Sequence, residues 1–389
     1  MKTMKMLGVT WLFVLFGWCA GVGIALGGPI IYNKSGALGP DYPDLWTVNP
    51  DGTGNSRVPV SPEIVWGAED PAWSRDGKHV AVTGVIGGET RTATSGPPDD
   101  LVAVNQIQTG AAKVLAVFDP AAMNVVVPIG SNTPTTYYRM FKAFSPDGRK
   151  VAYANVQLNF AEFGVVDLNS GTPTTFSQLP GATILAYPNV TAVGFADNTA
   201  GFSGFGIDWN PTPNSNVLVV SSSGLAYSSC TPYNPWNPSV PVSVTRLNLV
   251  PAVQNGLAQA APLTFPPVSC LTQVFDLFPA FSDDGTQVAF VRLIEDQSRL
   301  VGTPTVSSVR VIPATGGGER EGIRLPQEIV GRVSWSPDGK QLIFDRTKLD
   351  LNLNPVVELG IWKINLDGSG LIPFEGAPAN AATWSAIAR

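Results

Sequence analysis

Side chains that attack, ligate or shuttle protons are scarce in this 389-residue chain, which has one histidine and three cysteines. The histidine, His79, follows Asp76-Gly-Lys78, where three similar segments carry Lys150, Gln287 and Gln341. That pattern describes a polar residue at the start of a strand. A general base needs a nucleophile and an orienting partner beside it, and no Gly-x-Ser-x-Gly nucleophile turn occurs. Zinc wants several His or Cys ligands, more than are present. Asp-Gly pairs recur (Asp51, Asp76, Asp147, Asp284, Asp338 and Asp367 each precede a glycine), but no Asp-rich calcium loop with its closing Glu surrounds them. Asp99-Asp100 and Asp283-Asp284 are acidic pairs. Glycoside chemistry needs two carboxylates facing across a cleft, and adjacency along the chain does not supply that. No catalytic residue, metal ligand or cofactor site is therefore assigned. The stretch Tyr227-Ser-Ser-Cys-Thr-Pro-Tyr-Asn-Pro-Trp-Asn-Pro238 has a different chemistry. Its Tyr227, Tyr233 and Trp236 offer large contact area at low entropic cost, as recognition loops do. The same side chains could instead cover the protein's own apolar edge.

The elements that position these residues are repeats. Trp73-Ser-Arg-Asp-Gly-Lys78, Phe144-Ser-Pro-Asp-Gly-Arg149, Phe281-Ser-Asp-Asp-Gly-Thr286 and Trp335-Ser-Pro-Asp-Gly-Lys340 are near-copies. Each precedes an apolar β-rich run: Val80-Ala-Val82, Val151-Ala-Tyr153, Val288-Ala-Phe290 and Leu342-Ile-Phe344. Ser suits the first position of a type I turn, Pro the second, and Gly the last. A following left-handed glycine makes the common three-residue hairpin loop. Two weaker copies stand at Trp209 and Trp384. Six aromatic anchors result: Trp73, Phe144, Trp209, Phe281, Trp335 and Trp384. Second strand pairs are predicted at Leu101–Gly110, Phe163–Gly171, Val309–Gly316 and Gly360–Gly370. Four short strands per repeat read as a β-propeller. Asp44-Leu-Trp-Thr-Val-Asn-Pro-Asp-Gly-Thr-Gly54 matches the third and fourth strands of a unit with no hairpin before it. The C-terminus supplies a first strand. The expectation is an all-β, six-bladed propeller of four-stranded blades, the last closed by strands from both termini over residues 44–389. Closure removes open sheet edges.

The Trp/Phe-Ser-Pro-Asp-Gly-Lys-x-Val-Ala-Phe pattern at Trp73–Val82, Phe144–Tyr153, Phe281–Phe290 and Trp335–Phe344 resembles the TolB-type, WD-repeat-like propeller repeat. That family includes periplasmic scaffolds that bind other proteins, and the same repeat forms propellers attached to serine peptidases. The resemblance implies a propeller without the separate N-terminal α/β domain of TolB. It does not fix a function, because one fold hosts many.

Residues 1–27 have a positive start, an apolar run over Met6–Phe16 and small residues around Ala25 and Gly27. They read as a bacterial secretory leader, with an uncleaved membrane anchor as the alternative. The bulky Trp18 before Cys19 fits a lipid-attachment motif poorly. Residues 28–43 read as a linker. Cys230 and Cys270 then remain as an even pair in an oxidising periplasmic or extracellular compartment, and a disulfide is expected between them. Charged residues are only 14% of the chain and net charge is −6. With no basic stripe, nucleic acid is excluded as a partner.

The predicted long connections, Thr83–Asp100, Ser221–Val242, Arg292–Ser307, Arg346–Glu358, Pro120–Arg139 and Pro180–Ser203, fall on the face opposite the short Ser-x-Asp-Gly turns. Insertions in repeat proteins often mark the binding face. The expectation is a monomeric, non-catalytic scaffold that takes an envelope or extracellular protein, or a glycan, on that face. The competing reading is an envelope hydrolase or lyase working in the propeller mouth.

Overall fold

The computed structural model of the chain describes residues 28–36, 39–58, 64–77, 79–86, 112–119, 124–130, 139–157, 160–168, 183–185, 206–226, 242–253, 259–267, 272–296, 306–349, 355–376 and 379–384. These residues form 24 strands and no α-helix. β1 (Ile30–Gly36), β2 (Gly39–Val48) and β3 (Ser56–Arg57) belong to one four-stranded sheet, whose other edge is the last strand, β24 (Ala379–Trp384); the order is β24-β1-β2-β3. β4 (Ile64–Trp73), β5 (Val80–Ile86), β6 (Ala112–Asp119) and β7 (Asn124–Gly130) make a second sheet. β8 (Arg139–Phe144), β9 (Lys150–Gln157), β10 (Phe160–Asp167) and β11 (Thr183–Leu185) make a third.

The next eight strands form one sheet. β12 (Ile207–Trp209), β13 (Val217–Ala226), β14 (Val242–Pro251) and β15 (Ala261–Pro262) are one half of it. β16 (Thr272–Phe281), β17 (Gln287–Asp296), β18 (Val306–Pro313) and β19 (Arg320–Pro326) are the other. The halves meet only through a short parallel pairing, Val244 with Val274 and Thr245 with Phe275. β20 (Glu328–Trp335), β21 (Gln341–Leu349), β22 (Pro355–Asn365) and β23 (Ile372–Glu375) complete the set.

The strand after each hairpin is apolar at consecutive positions because both of its faces are covered. Val80, Ala81 and Val82 are fully buried, as are Val151, Ala152 and Tyr153, and Val288, Ala289 and Phe290. Alternating residues pack against the sheets on either side. Val219 and Leu247 meet Phe281, Val288, Phe290 and Ile312 in one cluster; Val291 and Val309 meet Val333, Trp335 and Phe344 in another. Each such Val, Leu or Phe contributes about 1.5–3 kcal/mol of burial. The first strands contact one another in the cyclic order β4, β8, β12, β16, β20, β24 and back to β4. They form the inner ring.

Several elements differ in place from the sequence expectation. Residues 28–43, read as a linker, carry β1 and the start of β2; β1 pairs with β2 on one side and β24 on the other. The third strand of the β4 sheet is β6, at Ala112–Asp119, and the Pro120–Arg139 connection contains β7; Leu101–Gly110, where the sequence places a strand pair, lies outside the described residues. Strands also extend into the predicted insertions: β17 runs to Asp296, β21 to Leu349, and β22 begins at Pro355.

Candidate functional site: the polar channel inside the ring

The four hairpins behave as one device. In each, the glycine N–H donates to the serine carbonyl: Gly77 to Ser74 at 3.0 Å, Gly148 to Ser145 at 2.9 Å, Gly285 to Ser282 at 2.8 Å and Gly339 to Ser336 at 2.9 Å. Those glycines have φ between 66° and 71°, a left-handed conformation that side chains disfavour. Each serine hydroxyl donates to the turn aspartate at 2.6 Å. It also accepts the N–H five residues on, from His79, Lys150, Gln287 or Gln341, at 2.8–3.0 Å. His79 is thus held by its backbone at a strand start. Asp147 Oδ1 also accepts the Arg149 N–H, and its carboxyl is held below the ordinary value, chiefly by the Ser145 hydroxyl. These aspartates serve their turns, since an Asp side chain readily bonds the backbone two residues on. Among the described residues no three or more His, Cys, Asp or Glu side chains gather in a way that could hold a metal ion.

Beneath the turns, the ring encloses a cavity of about 100 Å³ lined by residues of β4, β8, β12, β16, β20 and β24 and of the hairpins that follow β4, β16 and β20. Numbering back from the six anchors, the preceding residues are Ala72, Ala143, Asp208, Ala280, Ser334 and Thr383. Five are small and one is charged.

An inner strand has one edge paired within its sheet and one edge facing the lumen. Unpaired edge groups cost free energy unless something satisfies them. Asp208 does this for two strands at once. Its Oδ1 accepts the Trp209 N–H at 2.8 Å and its Oδ2 accepts the Phe281 N–H at 2.6 Å. Both amides point away from their own sheets, since the next residues, Asn210 and Ser282, make the hairpin bonds. Basic side chains satisfy the carbonyls. Arg332 on β20 reaches across the lumen, donating from Nη1 to the Pro71 carbonyl at 2.8 Å and, weakly, from Nη2 to the Lys142 carbonyl at 3.5 Å. Lys142 Nζ donates to the Asp70 carbonyl at 2.7 Å. Asp70 sits at a β-bulge of β4 with φ of 48°, and Phe278 at the matching bulge of β16 with φ of 51°.

Asp208 and Arg332 are half-buried and line the cavity. Burial pushes the Asp208 carboxyl up, opposed by the charges of Arg75 and Arg332 and by its two amide donors. Burial pushes Arg332 down, opposed by Asp70, Asp208 and Asp345. Asp345 approaches through the gap left by Gly331, where a Cβ would fall 1.8 Å from Asp345 Oδ2. At the hairpin mouth, Arg75 pairs with Asp283.

No protein-family profile and no curated protein matches this chain. Among solved structures, TolB from Acinetobacter baumannii aligns with a TM-score of 0.55 at 16% identity, over 93% of this chain and 67% of that one. A putative TolB from Agrobacterium tumefaciens gives 0.41 at 14% identity, over 76% and 81%. Oligogalacturonate lyase in complex with manganese gives 0.46 at 10%, over 86% and 71%. The first of these likenesses, with the ring of inner strands, defines the fold as a β-propeller. Within that fold, the chain is similar in structure to TolB.

Of the sequence-predicted residues, Phe144, Trp209, Phe281 and Trp335 are buried at the ends of inner strands, and Trp73 is half-buried. Trp335 Nε1 donates to the Ala280 carbonyl of the preceding inner strand at 2.9 Å. Trp384 ends β24. Tyr227, Cys230, Tyr233, Trp236 and Cys270 lie outside the described residues, as do residues 1–27 and most of the predicted long connections. No helix among the described residues is long and apolar enough to cross a membrane. Sequence reasoning missed Asp208, Arg332 and Lys142. One signal was available for Asp208: it is the lone charge in a column of small residues preceding the anchors.

Proposed function

We propose that the chain is a six-bladed propeller of four-stranded blades, with the last blade closed by β24 and β1–β3, and that it works as a periplasmic or secreted non-catalytic binding scaffold. Its partner is an envelope or extracellular protein, or a glycan, held on the long-loop face with Tyr227, Tyr233 and Trp236 as anchors. The cyclic contact of the six inner strands supports the blade count. The observation that carries the functional reading is how the lumen's polar groups are used. Asp208 holds two edge amides, Arg332 and Lys142 hold edge carbonyls, and Arg75 and Asp283 hold each other. An acid–base pair for catalysis must be able to reach a substrate, and these groups already have structural partners.

One observation favours the second reading, an envelope hydrolase or lyase: acidic and basic side chains do converge in the channel. The space between them, about 100 Å³, is well below the several hundred Å³ of ordinary ligand sites. Affinity capture from a native envelope extract tests the scaffold reading. One protein or glycan should be retained by the parent and lost when Tyr227, Tyr233 and Trp236 are all changed to Ala, with the melting temperature unchanged. Turnover of glycan or peptide libraries that disappears in D208N would overturn it.

A further inference from the structure

The hairpins depart from their own pattern at one position. The residue after Ser is Pro146 in the turn following β8 and Pro337 in the turn following β20, but Arg75 after β4 and Asp283 after β16. Pro presets the backbone of such a turn, so the repeat gives a reason for proline and none for these two charges. The turns themselves are alike, with the Gly77 and Gly285 amides closing them as in the proline copies. Among the described residues, the exchange adds a hydrogen-bonded ion pair from Arg75 Nη1 to Asp283 Oδ1. β4 and β16 stand three places apart in either direction round the inner ring. The pair therefore joins opposite sides of the ring, and both residues line the cavity. Their side chains keep 24% and 19% of their surface accessible, as expected of groups at a mouth. Asp208, beneath them, feels the charge of Arg75.

We infer that Arg75 and Asp283 form a strap across the short-turn mouth of the channel, and that this strap is what shields the upper lumen from solvent. A partly exposed ion pair is screened by salt, so the shield loosens as ionic strength rises. Anything entering the channel then does so from the opposite face, or only after the strap parts. The inference stands apart from the identity of any partner.

Thr383 lines the lumen from β24, and T383C reports access there. The rate of its alkylation by iodoacetamide, followed by mass spectrometry of the β24 peptide, is compared in the T383C parent and in T383C with R75P. The proline variant carries the residue that the other turns already use. It should fold with an unchanged or slightly higher melting temperature, yet alkylation should speed up about threefold or more, the order of opening set by losing such a pair. Added 0.5 M NaCl should accelerate the parent and leave the R75P protein unchanged. The exchanged pair, R75D with D283R, should restore slow labelling. Equal rates in the parent and R75P proteins, with or without salt, would overturn the inference, as would a charge-exchanged protein that labels as fast as R75P. An R75P protein that melted well below the parent would show that Arg75 serves its own turn, which also contradicts it.

Discussion

The hairpins and the lumen are a few ångströms apart and are built on opposite principles. Each hairpin is a copy of the others: Ser holds Asp and the amide five residues on, and a left-handed glycine closes the turn. The charged residues that the inner strands turn to the lumen do not repeat. Asp208 has no counterpart in the other inner strands, nor has Arg332, nor Lys142. The difference teaches what a ring of repeats needs. Repetition builds the units, but it leaves the lumen edge of each inner strand with outward amides and carbonyls. Six identical long side chains would crowd one narrow channel. A few unlike residues, each reaching another strand, satisfy these edges instead.

If that contrast holds, substitutions in the two regions should behave differently. The largest effect is expected at Gly331, where a methyl group would collide with the Asp345 carboxylate at 1.8 Å. Gly331→Ala should lower stability by about 2–3 kcal/mol through overpacking. Gly376→Ala, with nothing within 4 Å of the added Cβ, should be near neutral. Urea unfolding of the two variants measures the gap.

Asp208→Ala strips the partner from two inner-edge amides and should cost about 1–3 kcal/mol. Asp208 also carries a pH signature. Its folded pKa is raised by burial, so its contribution is fully present below the ordinary carboxylate value and is lost as pH rises through the raised folded value. Across that window the parent should lose stability relative to D208N. A parallel pair of curves from urea unfolding at stepped pH would contradict the assignment.

The repeated serines should cost less and, above all, cost alike. S145A, S282A and S336A each remove one buried hydroxyl from the same pair of bonds, worth about 1 kcal/mol. Their melting temperatures should cluster, whereas D208A, R332A and K142A should scatter. The smallest effect concerns Asp147. Its pKa is lowered, first by the Ser145 hydroxyl, so its stabilisation is present above the ordinary carboxylate value and is lost as pH falls through the depressed folded value. D147N should flatten the acid limb of the stability curve slightly, without moving the neutral region.

The hairpins were legible because their causes are local. Six consecutive residues hold the turn, its hydroxyl bonds and its glycine, and the aromatic before them marks the end of an inner strand. Pairing of the two termini was legible for the same reason: Asp44–Gly54 carries the turn chemistry of a later hairpin, with Asp51 holding Thr53 as Asp367 holds Ser369. β1 was missed because Asn33, Lys34, Ser35 and Gly36 read as linker. Its strand form comes from β2 and β24 on its two flanks, one of them over 300 residues away. β6 was not anticipated because Leu101-Val-Ala-Val104, outside the described residues, has as good a local strand pattern as Ala112–Asp119. The lumen could not be read from local pattern. Asp208 meets Phe281 across 73 residues, and Arg332 meets Pro71 across 261. Nothing in the neighbourhood of either residue foretells its partner.

The central claim is that the lumen's charges complete the ring. The Phe281 amide tests it most directly, because it points into the channel and has the Asp208 carboxylate as its acceptor at 2.6 Å. Hydrogen exchange resolved at this amide should show protection comparable to that of the paired amides of β16 and β17, and D208A should remove about a hundredfold of it or more while those neighbours keep theirs. A Phe281 amide that exchanges freely in the parent protein, or that stays equally protected in D208A, would contradict the account.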